Sequence, residues 1–266
     1  MEILGYIAAA LIGISLGLIG GGGSILTVPV LVYIFHLQPK LATSYSLFIV
    51  GSTSLAGAIT NYIKGWVDVK TALLFGASSI STVFLTRKFI VPAIPEQIIT
   101  IGNYTITASL LTMVLFATLM VIASYSMIRS KNGELTEKDS LQKVNNIPRL
   151  MAYGVMVGLV TGLLGAGGGF LIIPTLVLLI GLPMKEAIGT SLMIIAMNSL
   201  LGFTGDLGHT VMDWKLLLTL TAIAIAGIFT GSAIGKKIPG ASLKKGFGWF
   251  VLAMGIYILV KELLIG

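Results

Sequence analysis

A chain of 266 residues that is 56% hydrophobic and only 10% charged is not a soluble globule, in which about a quarter of residues carry charge. It contains no cysteine, which excludes a disulfide framework, a thiolate nucleophile and a thiolate metal site and leaves the redox compartment open. The formal net charge of +7 comes from Lys and Arg set between apolar stretches. No basic-aromatic patch accompanies them, so the partner is the lipid bilayer rather than nucleic acid.

Taken in chain order, residues 4–19 form an apolar segment that runs into Gly20-Gly21-Gly22-Gly23. It lacks the positive leading region and cleavage site of a signal peptide and reads as a retained membrane segment. A short apolar piece follows at 25–36, then three longer spans near 42–62, 69–90 and 106–128. The strongly polar stretch from Arg129 to Arg149 reads as a solvated linker. The pattern then repeats: an apolar segment at 150–164, a glycine-rich break, a short piece at 170–181, and spans near 187–205, 214–235 and 246–264. The expected organisation is a first transmembrane repeat over 1–128, a linker over 129–149 and a second repeat over 150–266.

The repetition is in the residues as well as the pattern. Gly17-Leu18-Ile19-Gly20-Gly21-Gly22-Gly23-Ser24 matches Gly162-Leu163-Leu164-Gly165-Ala166-Gly167-Gly168-Gly169 at an offset of 145, and the register continues without a gap to Leu73 and Leu218. Pro29 meets Pro174, Lys40 meets Lys185, Ser46 meets Ser191, Ser54 meets Ser199, Gly57 meets Gly202 and Asp68 meets Asp213.

The first two segments of each half are too long together for one crossing, at about 50 Å as a single helix, while the second alone reaches about 18 Å. A re-entrant or broken-helix hairpin with the glycines at its turn resolves this, provided the irregular backbone is buried in protein or lines a cavity. If the hairpin returns to its starting side, each half makes a net three crossings and the repeats are inverted. Lys64, Lys70, Arg129, Lys131, Lys138, Lys143, Arg149, Lys185, Lys236, Lys237, Lys244 and Lys245 then share one side, against Lys40, Arg87, Lys88, Lys215 and Lys261 on the other. A parallel arrangement divides the charges almost evenly. The bias toward the cytoplasmic side selects the inverted model, with the linker cytoplasmic and both termini outside. The expected fold is therefore an all-α polytopic protein of the cell (inner) membrane. Each of its two inverted repeats is a glycine-broken hairpin plus three transmembrane helices.

Inverted repeats with interrupted helices place substrate near the bilayer midplane. Here the breaks Gly20, Gly21, Gly22, Gly23, Ser24 and Gly165, Ala166, Gly167, Gly168, Gly169 are expected to face each other. A helix beginning after each break turns unpaired N–H groups and its positive dipole end inward, which is an anion site without a cation. Glycine lets a ligand approach the bare backbone; close helix packing is the competing explanation for the same residues. The following span in each half carries Ser46 and Ser54, then Ser191, Asn198 and Ser199. Residues eight apart share a helical face, so these groups can donate to an oxyanion or bond neighbouring helices. Asp206 and His209 are expected at a span end, with His209 an ordinary solvated loop residue, and no proton relay of buried carboxylates is visible. No paired carboxylate, nucleophile with its base or His-rich metal site is present, so no catalytic residue, metal or cofactor is assigned and an enzyme is not expected.

At these glycine signatures, with Pro29, Pro174 and Gly189-Thr190-Ser191, the sequence resembles the TauE/SafE family of sulfite and sulfonate exporters, also called the toluene sulfonate uptake permease group. The likeness covers essentially the whole chain. It implies transport of a small sulfur-containing anion such as sulfite or an organosulfonate. The halves differ where Thr43-Ser44-Tyr45-Ser46 stands opposite Ile188-Gly189-Thr190-Ser191, so they cannot supply identical contacts. The expected function is a secondary transporter with one repeat rocking against the other. A passive small-anion channel and a non-transport assembly factor are the alternatives. A coupling proton or sodium ion and the oligomeric state stay open.

Overall fold

In a computed structural model of the chain, residues 2–95, 97–101, 104–129, 147–164, 169–206, 212–235 and 237–265 are described. The linker stretch 130–146 and the break residues Gly165, Ala166, Gly167 and Gly168 lie outside them, as does His209. The first half comprises α1 (Glu2–Ile19), α2 (Gly22–Tyr33), α3 (Pro39–Ile63) and α4 (Val69–Leu85), the last continuing into a π-helical turn, Thr86–Ile90. A two-stranded antiparallel hairpin, β1 (Gln97–Ile101) and β2 (Tyr104–Thr107), then leads into α5 (Ala108–Arg129). The second half comprises α6 (Ile147–Leu164), α7 (Gly169–Pro174) with a π-helical turn over Thr175–Ile180, α8 (Met184–Thr204), α9 (Trp214–Gly235) and α10 (Gly240–Val260). The hairpin departs from the all-helical expectation. Its strands, QIITI and YTIT, are rich in β-branched residues, which favour extended backbone.

Six of these helical segments are long and apolar enough to cross a bilayer. Apolar side chains on the outer faces of these and of the shorter helix α1 are exposed, including Leu4, Ile7 and Leu11 on α1 and Leu111, Leu115 and Ile122 on α5. Spacings of three, four and seven residues make each set one stripe, suited to lipid chains. The chain is a multi-pass membrane protein.

Glycines let the helices approach to backbone contact. Along α1, Gly13 and Gly17 lie against Ala224 and Ile228 of α9, while Gly235 of α9 lies against Leu18. Numbers rise together on both sides, so α1 and α9 run parallel. The α4–α6 pair repeats this, with Gly154 against Ser78, Gly158 against Ser79 and Gly162 against Thr86. The equivalent helices α3 and α8 instead run antiparallel: Gly51 meets Ser199, Gly57 meets Leu192, and Gly202 meets Leu47. Helices α5 and α10 are antiparallel too, with Gly248 on Met127 and Gly255 on Met120.

The offset of 145 also reappears in local geometry. After α2 the chain turns at His36, φ 54°, and after the π turn of α7 at Gly181, φ 86°. Leu37 N–H donates to Leu31 O at 3.1 Å and Leu182 N–H to Leu176 O at 2.9 Å. A left-handed residue with this backward bond is a common way to stop a helix. Asp68 caps α4 by accepting from Thr71 N–H at 3.1 Å, and Asp213 accepts from Leu216 N–H at the same distance. Across the halves, Asp68 N–H donates to Thr190 Oγ1 at 2.9 Å and Asp213 N–H to Tyr45 Oη at 2.5 Å; Tyr45 and Thr190 are equivalent positions.

Candidate functional site

Helix α1 ends where Gly20 takes φ 78°, a conformation that glycine adopts without the clash a Cβ would bring. The chain reverses there, and α2 packs back on α1: Gly23 sits on Ile12 and Leu16, and Phe35 on Gly5. This is a hairpin that returns to the end from which α1 started. Gly21 caps α2 with no side-chain hydrogen bond, so the first N–H groups of α2 have no side-chain acceptor at the cap.

The break of the first half meets the start of α7. A Cβ on Gly169 would lie 2.7 Å from the Gly21 Cα and 2.9 Å from Ser24 Oγ, so only backbone fits between these elements. Gly20 likewise abuts Ile188 and Ser191, both 2.9 Å from where its Cβ would be. Ser191 and Ile195, which touch Gly20 and Gly169, stand near the middle of α8. Of the residues picked from sequence, Gly20, Gly21, Ser24, Gly169 and Ser191 therefore come together, with Gly22 and Gly23 opening α2 beside them.

The hydroxyls behave unequally. Ser24 Oγ donates to Gly21 O at 2.7 Å, and Ser191 Oγ to Ile188 O of its own helix at 2.9 Å, with Gly20 O of the break as a longer second acceptor at 3.5 Å. Ser46 Oγ, Ser54 Oγ and Asn198 Oδ1 are buried without a partner among the described residues. Asn198 Nδ2 donates to Ser79 Oγ of α4. A buried polar group without a partner costs about 1–3 kcal/mol, and such groups mark places to seek a ligand.

Two charged residues stand where the sequence suggested solvated ends. Asp206 is buried, and Arg87, counted from sequence among the charges of one membrane face at the end of the 69–90 span, is 1% exposed. Arg87 Nη1 lies 3.2 Å from Asp206 Oδ2 and donates to Thr43 Oγ1 at 3.2 Å; Ser44 Oγ donates to Asp206 Oδ2 at 2.5 Å. The two meet because the end of the 69–90 span, where α4 passes into its π turn, lies beside the end of α8, a neighbour relation that a linear boundary does not reveal. The signal available was opposite charge at matching depth: both residues lie at the ends of neighbouring parallel spans. Glycines Gly17 and Gly235, with Asn61, Lys64, Trp66, Lys185, Ile188 and Ser232, line a pocket at the other end of the bundle.

Apolar crossing helices around a hairpin whose glycine break is buried in the centre form the architecture of a multi-pass membrane transporter. Residues 5–258 match the sulfite exporter TauE/SafE family, and the chain belongs to that family. It is 28% identical to a "Probable membrane transporter protein" of Xylella fastidiosa, over 96% of this chain and 94% of that one. It is 29% identical to "Probable membrane transporter protein YunE" of Bacillus subtilis, over 90% and 88% of the two chains. To YdhB of the same organism, also described as a probable membrane transporter protein, it is 25% identical over 88% and 90%.

Proposed function

We propose that this chain is a secondary transporter for a small sulfur-containing anion, such as sulfite or an organosulfonate, bound near the midplane where the two glycine breaks meet. The observation that carries the reading is the backbone contact between Gly21 and Gly169 beside the centre of α8. An uncapped helix start, bare glycine and nearby hydroxyls suit an oxyanion: the N–H groups and the dipole supply positive potential without a buried cation. The family description points to the same class of substrate.

The two halves are read as inverted repeats over 1–128 and 150–266, joined by a cytoplasmic linker, with both termini outside. Antiparallel packing of the equivalent pairs α3/α8 and α5/α10 supports this, because equivalent helices that run oppositely are related by an axis across them rather than along them. Rocking of one repeat against the other around a fixed site follows from that relation, and favours a carrier over a channel.

Proteoliposomes holding the purified chain are expected to take up radiolabelled sulfite or sulfoacetate above empty vesicles, with chloride and sulfate as comparison anions. Imposed proton and sodium gradients identify the coupling ion. Absence of flux for every anion under every gradient rejects transport.

A further inference from the structure

One edge of the Arg87 guanidinium is unused. Nη1 makes both of its contacts, to Asp206 Oδ2 and Thr43 Oγ1, whereas Nε and Nη2 are buried without a hydrogen-bond partner among the described residues. Nε–H and one Nη2–H project side by side, the fork that takes two oxygens of an oxyanion at once. Leaving such donors empty in a dry interior is costly, so a fork held open there is a place to seek a ligand. Arg87 also stands close to the second glycine run. A Cβ on Gly162 of α6, in the stretch Gly162-Leu163-Leu164-Gly165, would lie 2.7 Å from Thr86 Cβ, and Gly205 packs on Arg87 Cβ. Thr86 Oγ1 is buried and unpartnered as well.

Asp206 can lose its charge without losing its place. Ser44 Oγ donates to Asp206 Oδ2 at 2.5 Å, and a hydroxyl both donates and accepts, so the contact persists in reverse when the carboxyl carries a proton. The other charged groups on the elements packed here are Lys40 of α3, Lys88 of the π turn and, at the start of α9, Asp213 and Lys215, all four exposed. Lys88 Nζ lies over the rings of Phe84 and Phe89 at 5.4 Å and 5.7 Å, and Asp213 caps α9. Helices α4, α6 and α8 carry their remaining charges at their opposite ends. The Arg87–Asp206 pair is electrically neutral. An oxyanion on the open edge puts a second negative charge beside Asp206, and in a site shut off from water that repulsion is relieved by a proton on the carboxylate. One anion and one proton enter, and the cluster stays neutral.

We propose that the Nε–Nη2 edge of Arg87 is an oxyanion contact of the carrier, and that Asp206 takes up the coupling proton when that contact is filled. This rests on the carrier reading above and names its coupling ion. The ligand is a small oxyanion of single charge, such as a sulfonate, since one proton balances one charge. The offset of 145 sets Asn61 opposite Asp206 and, carried along α4 and α9, Ser232 opposite Arg87. Neither carries a charge, so the device is present in one copy and one proton accompanies each anion.

The test is calorimetric titration of the full-length chain in nanodiscs with methanesulfonate and isethionate, monoanions whose own charge does not change between about pH 6 and 8. Wild-type protein is expected to bind at least one of them with an affinity that falls about tenfold per pH unit as pH rises, because the complex holds one proton more than the free protein. Titration in buffers of unlike ionisation enthalpy counts that proton. Asp206→Asn is expected to bind the same probe with no proton taken up and no dependence on pH. Arg87→Gln combined with Asp206→Asn, a pair of neutral amides that strands no charge, is expected to lose at least about tenfold in affinity. Wild-type binding without proton uptake overturns the proposal even where a variant does not fold, and makes the ion pair a clamp of the fold. A proton still taken up by Asp206→Asn, or full affinity without the guanidinium, overturns it too. So does a wild-type chain that moves anions in vesicles yet binds neither sulfonate. Failure of the carrier reading shows separately, as wild-type vesicles that move no anion under any gradient.

Discussion

Arg87 and Asp206 illustrate what a charge requires inside a membrane protein. Taking both from water costs several kcal/mol each, and their attraction offsets that only because Thr43 and Ser44 add hydrogen bonds. Removing one partner strands the other. Arg87→Met is therefore expected to lower the stability of the detergent-solubilised protein by about 3–5 kcal/mol, read as a large drop in thermal midpoint. The double variant Arg87→Met with Asp206→Leu should recover most of it, since an apolar pair of similar volume leaves no uncompensated charge. A double variant as unstable as the single one would refute this account. The pair also marks the limit of the sequence at this scale. Asp206 was visible as a charge beside a span and Arg87 as a charge at the end of the 69–90 span, but burial depends on which span ends lie side by side, and no local residue pattern shows that.

At the scale of elements, most of the architecture was legible. The first glycine break, the short second segments and the later spans fall where the apolar pattern placed them, because a helix that crosses lipid must satisfy its own backbone and be apolar over its length. The β1–β2 hairpin was not read, since a short β-branched run beside an apolar span merges into it. Helix packing was legible only in part: the glycines were evident, and their partners were not. Gly13 faces the backbone of Ala224, whereas nothing lies within 4 Å of where a Cβ on Gly246 would sit. Gly13→Leu is expected to force α1 from α9 and to cost about 1–3 kcal/mol or more through overpacking. Gly246→Ala, within α10, should be neutral or stabilising by up to about 1 kcal/mol through helix propensity. Thermal unfolding followed by size-exclusion recovery separates the two, and similar losses at both positions would contradict the packing described.

For the whole molecule, the relation between the halves can be tested without a substrate. Lys70 and Lys215 are equivalent, exposed and near the starts of α4 and α9. In inverted repeats they face opposite sides of the membrane. Single variants Lys70→Cys and Lys215→Cys in intact cells are thus expected to differ, with an impermeant thiol reagent reaching only the Lys215→Cys protein. Labelling of both from outside would require parallel repeats. The charge distribution is what predicts this orientation from the sequence, whereas the meeting of Gly21 with Gly169 required three-dimensional placement: two runs separated by more than half the chain have no local signal for contact.

The matched bonds Asp68 to Thr190 and Asp213 to Tyr45 have a consequence for the energies of the proposed carrier. If each half adopted the conformation now held by the other, those two bonds would simply exchange. In a perfectly duplicated chain the two conformers would be degenerate. Only unmatched positions lift the degeneracy, Asp206 against Asn61 and Arg87 against Ser232 among them, and each 1.4 kcal/mol of imbalance, on the order of one good hydrogen bond, shifts the resting population about tenfold. The face on which the protein waits is thus set by the few places where its halves have ceased to be copies.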